Sequence, residues 1–259
     1  MSNCRGDTMS ELIEYRVYDE GYGLILLNRP EKHHAISTEM SKKLLEKIQL
    51  AKNSDIKFLV ISAKGNDMFC AGGDLNDLHA DLNSDEAFKR LYPMKECLYE
   101  LMSFPVPTVC LLNGNALGGG CEIATACDFR IGKEGTKFGF IQSSIGIVPG
   151  WGGGVLLYEK VNSNFAYQWL VEGKVYDISF LERHGWIHRI VPDDHWDDME
   201  KVLQPYINKS IEQMKILKAQ FNKNISVLSL SADMNEEVRQ SATLWGNPEH
   251  QRALKRIKK

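Results

Sequence analysis

Long apolar runs are missing from this 259-residue chain. No stretch reaches membrane-spanning length and no charged-then-apolar leader pattern opens the N-terminus, so no membrane association is expected and the chain reads as cytoplasmic. Excess charge of one sign is missing as well. The formal net charge of −3 at pH 7 gives no basic field for nucleic acid or an anionic membrane, so nucleic acid is not an expected partner. The six cysteines (Cys4, Cys70, Cys97, Cys110, Cys121 and Cys127) form no CxxC pair, and most stand among apolar or small neighbours. That reads as reduced core thiols, not a disulfide framework. The seven histidines lack HExxH or comparable spacing, so no metal site is expected. Walker-type GxxxxGK(S/T) is absent, no GxGxxG follows the first strand, and neither an internal repeat nor a low-complexity stretch occurs.

What remains is an ordinary globular balance, 43% hydrophobic and 25% charged, on a length that can bury one large core. Met1 to Ser10 is polar and expected to be disordered. Ile13, Tyr15 and Val17 alternate with polar neighbours, and Gly23 to Asn28 follows a turn, which predicts a hairpin ending at Arg29-Pro30. Ser37 or Thr38 can cap a helix carrying Met40, Leu44, Leu45 and Ile48. Phe58 to Ser62 reads as a buried strand, and Ala63 to about Asp85 as a long loop. A helix from about Glu86 to Met102, a strand from Thr108 to Leu112, a glycine-rich loop from Asn113 to Gly120, a short helix from Cys121 to Ala126 and a strand from Phe129 to Ile131 follow. Such alternation favours an α/β fold with a largely parallel arrangement. From Trp196 onward the periodicity is helical, so the expected organisation is a core over 11–195 and a C-terminal helical region over 196–259.

Two glycine clusters carry the chemistry. Gly118-Gly119-Gly120 leads into a helix whose first turn adds unsatisfied N–H donors and partial positive charge, ahead of Glu122. Ala71-Gly72-Gly73 offers a second set of donors, and amides converging from two loops can build an oxyanion hole. Each cluster alone is equally compatible with a tight turn.

Together these segments resemble the crotonase (enoyl-CoA hydratase/isomerase) superfamily. The resemblance rests on Phe69-Cys-Ala-Gly-Gly-Asp-Leu75, Gly114-Asn-Ala-Leu-Gly-Gly-Gly-Cys-Glu-Ile-Ala124 and Phe138-Gly139 with Gly146-Ile-Val-Pro-Gly150, in the right order. Leu27-Asn-Arg-Pro-Glu31 and Gly185-Trp-Ile-His-Arg-Ile-Val-Pro192 resemble its outlying landmarks. It implies a crotonase-like spiral of ββα repeats with C-terminal helices, a homotrimer or homohexamer, and an acyl-CoA thioester as substrate. No cofactor is implied, coenzyme A being part of the substrate. Carried onto this chain, the hole would be the amides of Ala71 and Gly119. The segment Glu31 to Ala35 (Lys32, His33, His34, Ala35) and Ala71 to Leu75 (Gly72, Gly73, Asp74, Leu75) would hold the CoA nucleotide. Leu78, Leu91, Met94 and Trp151 are candidates for the acyl pocket, although such residues are more often plain core than selectivity elements.

Hydratases of this family place two glutamates on one water. The first matches Glu122, but the second position carries Gln142, and a position where relatives use aspartate carries Gly150. A carboxamide cannot act as a general acid or base near neutral pH, and losing one member of such a pair costs ~10²–10⁴-fold. The resemblance therefore implies thioester-enolate chemistry with Glu122 as acid/base. Hydration or isomerisation is the family's general reaction. The alternative is decarboxylation of a methylmalonyl- or ethylmalonyl-type thioester, since the chain also resembles ethylmalonyl-CoA decarboxylase-type members lacking the second glutamate. A non-catalytic acyl-CoA-binding protein is a further alternative.

Overall fold

The structure, a computed structural model, describes residues 11–77, 82–225 and 227–257. The expected disordered start over 1–10, Cys4, Leu78 and the terminal Lys258-Lys259 lie outside the described residues.

β1 (Ile13–Val17) and β2 (Tyr22–Leu27) form the expected hairpin, pairing antiparallel from Ile13↔Leu27 to Val17↔Gly23. α1 (Thr38–Lys52) starts at Ser37, whose hydroxyl accepts from the Met40 amide. β3 (Phe58–Ala63) is buried along its whole length, as a parallel strand covered on both faces must be. β4 (Met68–Cys70) and α2 (Ser84–Met102) follow, the helix beginning at a reciprocal capping box of Asn83 and Glu86. The next two units repeat that order: β5 (Thr108–Leu112), β6 (Asn115–Leu117) and α3 (Gly119–Ala126), then β7 (Phe129–Lys133), β8 (Lys137–Gly139) and α4 (Gly153–Lys160). α5 (Ser163–Glu172), β9 (Val175–Asp177), α6 (Ile178–Arg183) and β10 (Arg189–Val191) complete the core.

Each turn of this spiral gives one strand to each of two sheets. The six-stranded sheet has the order β1-β2-β3-β5-β7-β10 and the four-stranded sheet β4-β6-β8-β9. The ββα spiral of the resemblance is thus the observed architecture. The segments read as loops over 63–85 and 113–120 contain β4 and β6, a correction with a simple cause. Three residues are too few to show a period of two. Gly114 lets these strands approach, because a Cβ there would lie 2.4 Å from the Asp67 carbonyl carbon.

The six-stranded sheet separates two cores. Leu59 and Ile61 point into the larger one, whereas Phe58 and Val60 point the other way. That second face is closed by the C-terminal helices α7 (Met199–Ile207) and α8 (Ile211–Asn224), through Val202, Leu203 and Met214. α9 (Val227–Leu244) instead folds back onto α2 and α4, burying Met234 and Val238 in the larger core, and α10 (Pro248–Ile257) ends the described chain. The C-terminal region therefore belongs to both cores. No helix among the described residues is long and apolar enough to cross a membrane. The five described cysteines are free and buried.

Candidate active site

α3 puts its N-terminus at the base of a cavity of about 370 Å³. Its capping residue Gly118 has φ 51°, and the Gly118 amide donates to the Gly139 carbonyl of β8 at 2.8 Å, which fixes the turn. Next to it runs the loop after β4. A Cβ on Gly72 would lie 3.1 Å from the Gly119 nitrogen, so the two glycine loops touch. Gly119 is also packed closely by Trp151, whose ring would meet a Cβ at 2.0 Å.

Ala71 and Gly119 both line the cavity, but only one has a free amide. The Ala71 N–H donates to the His33 carbonyl at 3.0 Å, the Gly72 N–H points to Cys70 Sγ at 3.4 Å, and the Asp74 N–H donates to the Ile36 carbonyl at 2.9 Å. In the parallel bridge Ile36↔Gly73 the Gly73 amide faces away from its partner strand. From Ala71 to Asp74 and at Gly118 and Gly119, the amides without a partner among the described residues are thus those of Gly73 and Gly119. The expectation for Ala71 is corrected accordingly.

Glu122 sits one turn into α3 at 2% exposure and lines the cavity. Its Oε2 accepts from the Trp151 and Gly153 amides at 2.9 and 3.0 Å, and its Oε1 from Gln142 Nε2 at 2.9 Å. Burial pushes the carboxyl up to about 7, against the pull of these donors and the Gly150 amide. A proton on Glu122 therefore belongs to Oε1, since both lone pairs of Oε2 are taken. Gln142 is 6% exposed, and its own Oε1 has no hydrogen-bond partner, leaving a buried acceptor on the cavity wall. The remaining wall is apolar, with Leu91, Ile141, Ile147, Val148, Trp151 and Trp245.

Of the residues expected to hold the nucleotide, Lys32, Ala35, Gly72, Gly73, Asp74 and Leu75 line the same cavity, Lys32 at its exposed rim. Burial alone would raise the Asp74 carboxyl, but the Asn76 amide and the Arg29 guanidinium at 2.6 Å hold it below its usual range. His34 is not among them. It is 2% exposed, its Nδ1 accepts from the Arg29 amide at 3.1 Å, and its Nε2 is 2.9 Å from the Lys64 carbonyl. With Nδ1 accepting, Nε2 must carry the hydrogen, and burial keeps the ring neutral by lowering its pKa. His34 thus shapes the Arg29–Ala35 turn from inside, and His33 is exposed without lining the cavity. Met94 is likewise core, not lining, while Leu91 and Trp151 do line it.

α9 and the turn that follows it supply residues that no sequence motif marks. Ser241 and Trp245 close the cavity, and Glu237 accepts from the Gly152 and Val155 amides at 2.7 Å each. One signal was available: the run Gly150-Trp-Gly-Gly-Gly154 opens a helix without any capping side chain, so its amides need acceptors from elsewhere. Among the described residues no group of three or more His, Cys, Asp or Glu could hold a metal ion.

The geometry can be set against known proteins. The family model described as enoyl-CoA hydratase/isomerase matches residues 18–256. Ethylmalonyl-CoA decarboxylase of Gallus gallus is 31% identical over 244 residues, covering 92% of this chain and 81% of that protein. The Bos taurus protein of the same name is 30% identical over 94% of this chain and 81% of its own length. Among solved structures, an enoyl-CoA hydratase from Bacillus halodurans superposes with a TM-score of 0.86 at 23% identity, covering 95% of this chain and 100% of that one. At that identity the superposition speaks for the fold. The sequence matches, which run through both glycine loops and Glu122, make this chain a member of the enoyl-CoA hydratase/isomerase family of the crotonase superfamily.

Proposed function

We propose that this chain decarboxylates a 2-alkylmalonyl-type CoA thioester, with methylmalonyl- and ethylmalonyl-CoA as the simplest substrates. The observation that carries this reading is the pairing at the cavity base: Glu122 faces a carboxamide, Gln142, where two-carboxylate hydration needs a second acid. Likeness to decarboxylases at 30–31% identity supports the same choice.

In the reaction, the thioester oxygen lies against the free amides of Gly73 and Gly119, with the N-terminal dipole of α3 behind the latter. The bond between the α-carbon and the carboxylate carbon breaks, carbon dioxide leaves, and the electron pair passes into the thioester enolate. The apolar wall favours this step, because a carboxylate stripped of water gains by dispersing its charge. Glu122 then gives its Oε1 proton to the α-carbon and is reprotonated from solvent. With its carboxyl near 7, about half the molecules hold that proton at neutral pH. Lys32 and the Ala71–Leu75 backbone hold the CoA portion at the rim.

Product analysis on a panel of crotonyl-, methylmalonyl-, ethylmalonyl- and 3-hydroxyacyl-CoA tests this directly. Labelled carbon dioxide should be released from the malonyl-type thioesters, with little change in the others. Fast crotonyl-CoA hydration without decarboxylation would return the chain to the hydratases. Tight binding of every thioester with no product and no solvent deuterium entering the α-carbon would make it a binding protein.

A further inference from the structure

α4 begins without a cap of its own. Pro149, Gly150, Trp151, Gly152 and Gly153 lead into it, and none has a side chain able to accept from first-turn amides. Two carboxylates from other helices take those amides alternately. Glu122 of α3 takes Trp151 and Gly153 at 2.9 and 3.0 Å, and Glu237 of α9 takes Gly152 and Val155 at 2.7 Å each. The turn is thus threaded between two acids, and neither can shift without releasing two N–H groups. Gly153 makes the approach possible, since a Cβ there would lie 2.4 Å from Glu122 Cβ.

No cation pairs with either carboxylate among the described residues. The charges on the surrounding helices are directed elsewhere. Lys95 of α2 reaches Glu96 and Ser231, Arg239 of α9 pairs with Glu236, and Lys160 at the far end of α4 donates to the Ala126 and Cys127 carbonyls. Tyr158 and the exposed Glu159 of α4 and Tyr167 of α5 are further titratable groups on the adjoining helices, Glu172 of α5 is taken by Lys174 and Tyr176, and the Tyr158 phenol is itself raised, first by burial and further by Tyr167 and Glu237. Cys121 beside Glu122 is a buried thiol held in its neutral form. Among the described residues no opposite charge thus offsets the burial of either carboxylate.

We propose that Glu237 is a positioning residue for Glu122: it pins the Gly152–Val155 turn whose neighbouring amides, Trp151 and Gly153, hold the Glu122 carboxylate. Two carboxylates capping one turn should then titrate as a pair. This rests on the reading of Glu122 as the proton donor. Burial raises both carboxyls first, and at Glu237 the charge of Glu122 raises it further, to about 8. Like-charged neighbours that cap one turn lose their protons in two separated steps, the second belonging to the pair. Glu237 lies outside the cavity lining, so its effect reaches the reaction through the turn that holds Glu122.

The test needs no substrate. Infrared titration of the carboxyl bands in the full chain, assigned by their loss in the single variants, follows each acid. Glu237→Gln keeps the shape and removes the charge, so Glu122 should titrate in one step, with its final deprotonation lower by about one pH unit or more. If the Glu237→Gln protein does not fold, Glu122→Gln reads the same coupling from the other side, because the interaction is mutual: the Glu237 midpoint should fall by a similar amount. An unmoved midpoint in a folded variant overturns the proposal, and a lower Tm with an unmoved midpoint reduces Glu237 to a helix cap. The pH profile of decarboxylation should shift with the titration in Glu237→Gln. If no malonyl-type thioester is decarboxylated while the titration shifts as expected, the functional reading fails and the coupling stands.

Discussion

Gln142→Glu separates the reactions available to this site. The amide nitrogen of Gln142 is 2.9 Å from Glu122 Oε1, so the substitution places two carboxyl groups within one hydrogen bond of each other. They cannot both ionise at that distance, and one proton will be shared across neutral pH. One acid and one base on a common water is the arrangement hydration needs, so crotonyl-CoA hydration should rise at least ~10-fold, toward the ~10²–10⁴-fold that a positioned acid/base supplies. Decarboxylation should respond in the opposite sense. Wild-type Glu122 is about half ionised at pH 7, whereas the substituted pair carries a full charge. Two unit charges about 5 Å apart repel by roughly 3 kcal/mol at an effective dielectric near 20. Half a charge gives about 1–2 kcal/mol, or about 10-fold weaker binding of the malonyl-type substrate. The loss should lie in KM more than in kcat, because the repelled carboxylate charge leaves that position as carbon dioxide departs. Loss of the enoyl thioester absorbance measures the first reaction and released carbon dioxide the second, with binding checked separately by calorimetry. Wild-type hydration at ~10² s⁻¹ or more would refute the single-carboxylate argument outright.

Three further outcomes are expected. Gly119→Ala should fold by circular dichroism yet lose turnover by about 10²-fold or more, since its methyl would displace the Trp151 ring from the position that leaves the amide open. The Glu122 carboxyl makes the fold pH-dependent: below about pH 4.5 folded and unfolded chains both hold its proton, and as pH rises through about 7 the unfolded chain releases it first, costing roughly 3 kcal/mol of stability. Calorimetric Tm should fall across that window in wild type and less in Glu122→Gln. Light scattering should give a trimer or hexamer, as Ile216, Leu217 and Phe221 leave an apolar stripe of α8 exposed in the single chain; a clean monomer at micromolar concentration would contradict it.

Much of this was legible in the residues because glycine runs ahead of a helix have few structural uses. The Gly118–Gly120 run located α3 and with it Glu122, and Ser37 located the start of α1. The failures share a cause: they depend on register or on a distant return of the chain. Which amide of Ala71-Gly72-Gly73 is free follows from the bridge between Ile36 and Gly73, a one-residue matter that composition cannot express. The resemblance assigns the whole Glu31–Ala35 segment, His34 included, to the CoA nucleotide, and a segment-level match does not say which way each ring points. The turn holds His33 and His34 at positive φ, 50° and 54°, and sends the second ring inward. Ser241, Trp245 and Glu237 reach the site only because α9 packs back across α2 and α4, more than a hundred residues after Glu122.

α3 shows which end of the fold is built for a ligand. All eight of its residues are buried, so both ends must be satisfied without bulk water. At the C-terminal end this is done thoroughly. Arg130 donates to the Ala124 and Cys127 carbonyls at 3.4 and 2.8 Å, and Lys160 to those of Ala126 and Cys127 at 3.2 and 2.7 Å. Burial lowers Arg130 to about 10 and Lys160 to about 7, so Arg130 is the standing cation opposing the negative pole of the helix, and Lys160 donates there in either charge form. At the N-terminal end the Gly119 amide has no partner among the described residues and opens onto the cavity. With its negative pole neutralised, the helix presents an uncompensated positive end beside a second unpaired amide, that of Gly73. A buried, unpaired donor costs about 1–3 kcal/mol; the buried Gly119 amide beside the half-buried Gly73 amide fits the proposed reaction, in which an oxygen arrives with the substrate and becomes more negative as the bond breaks.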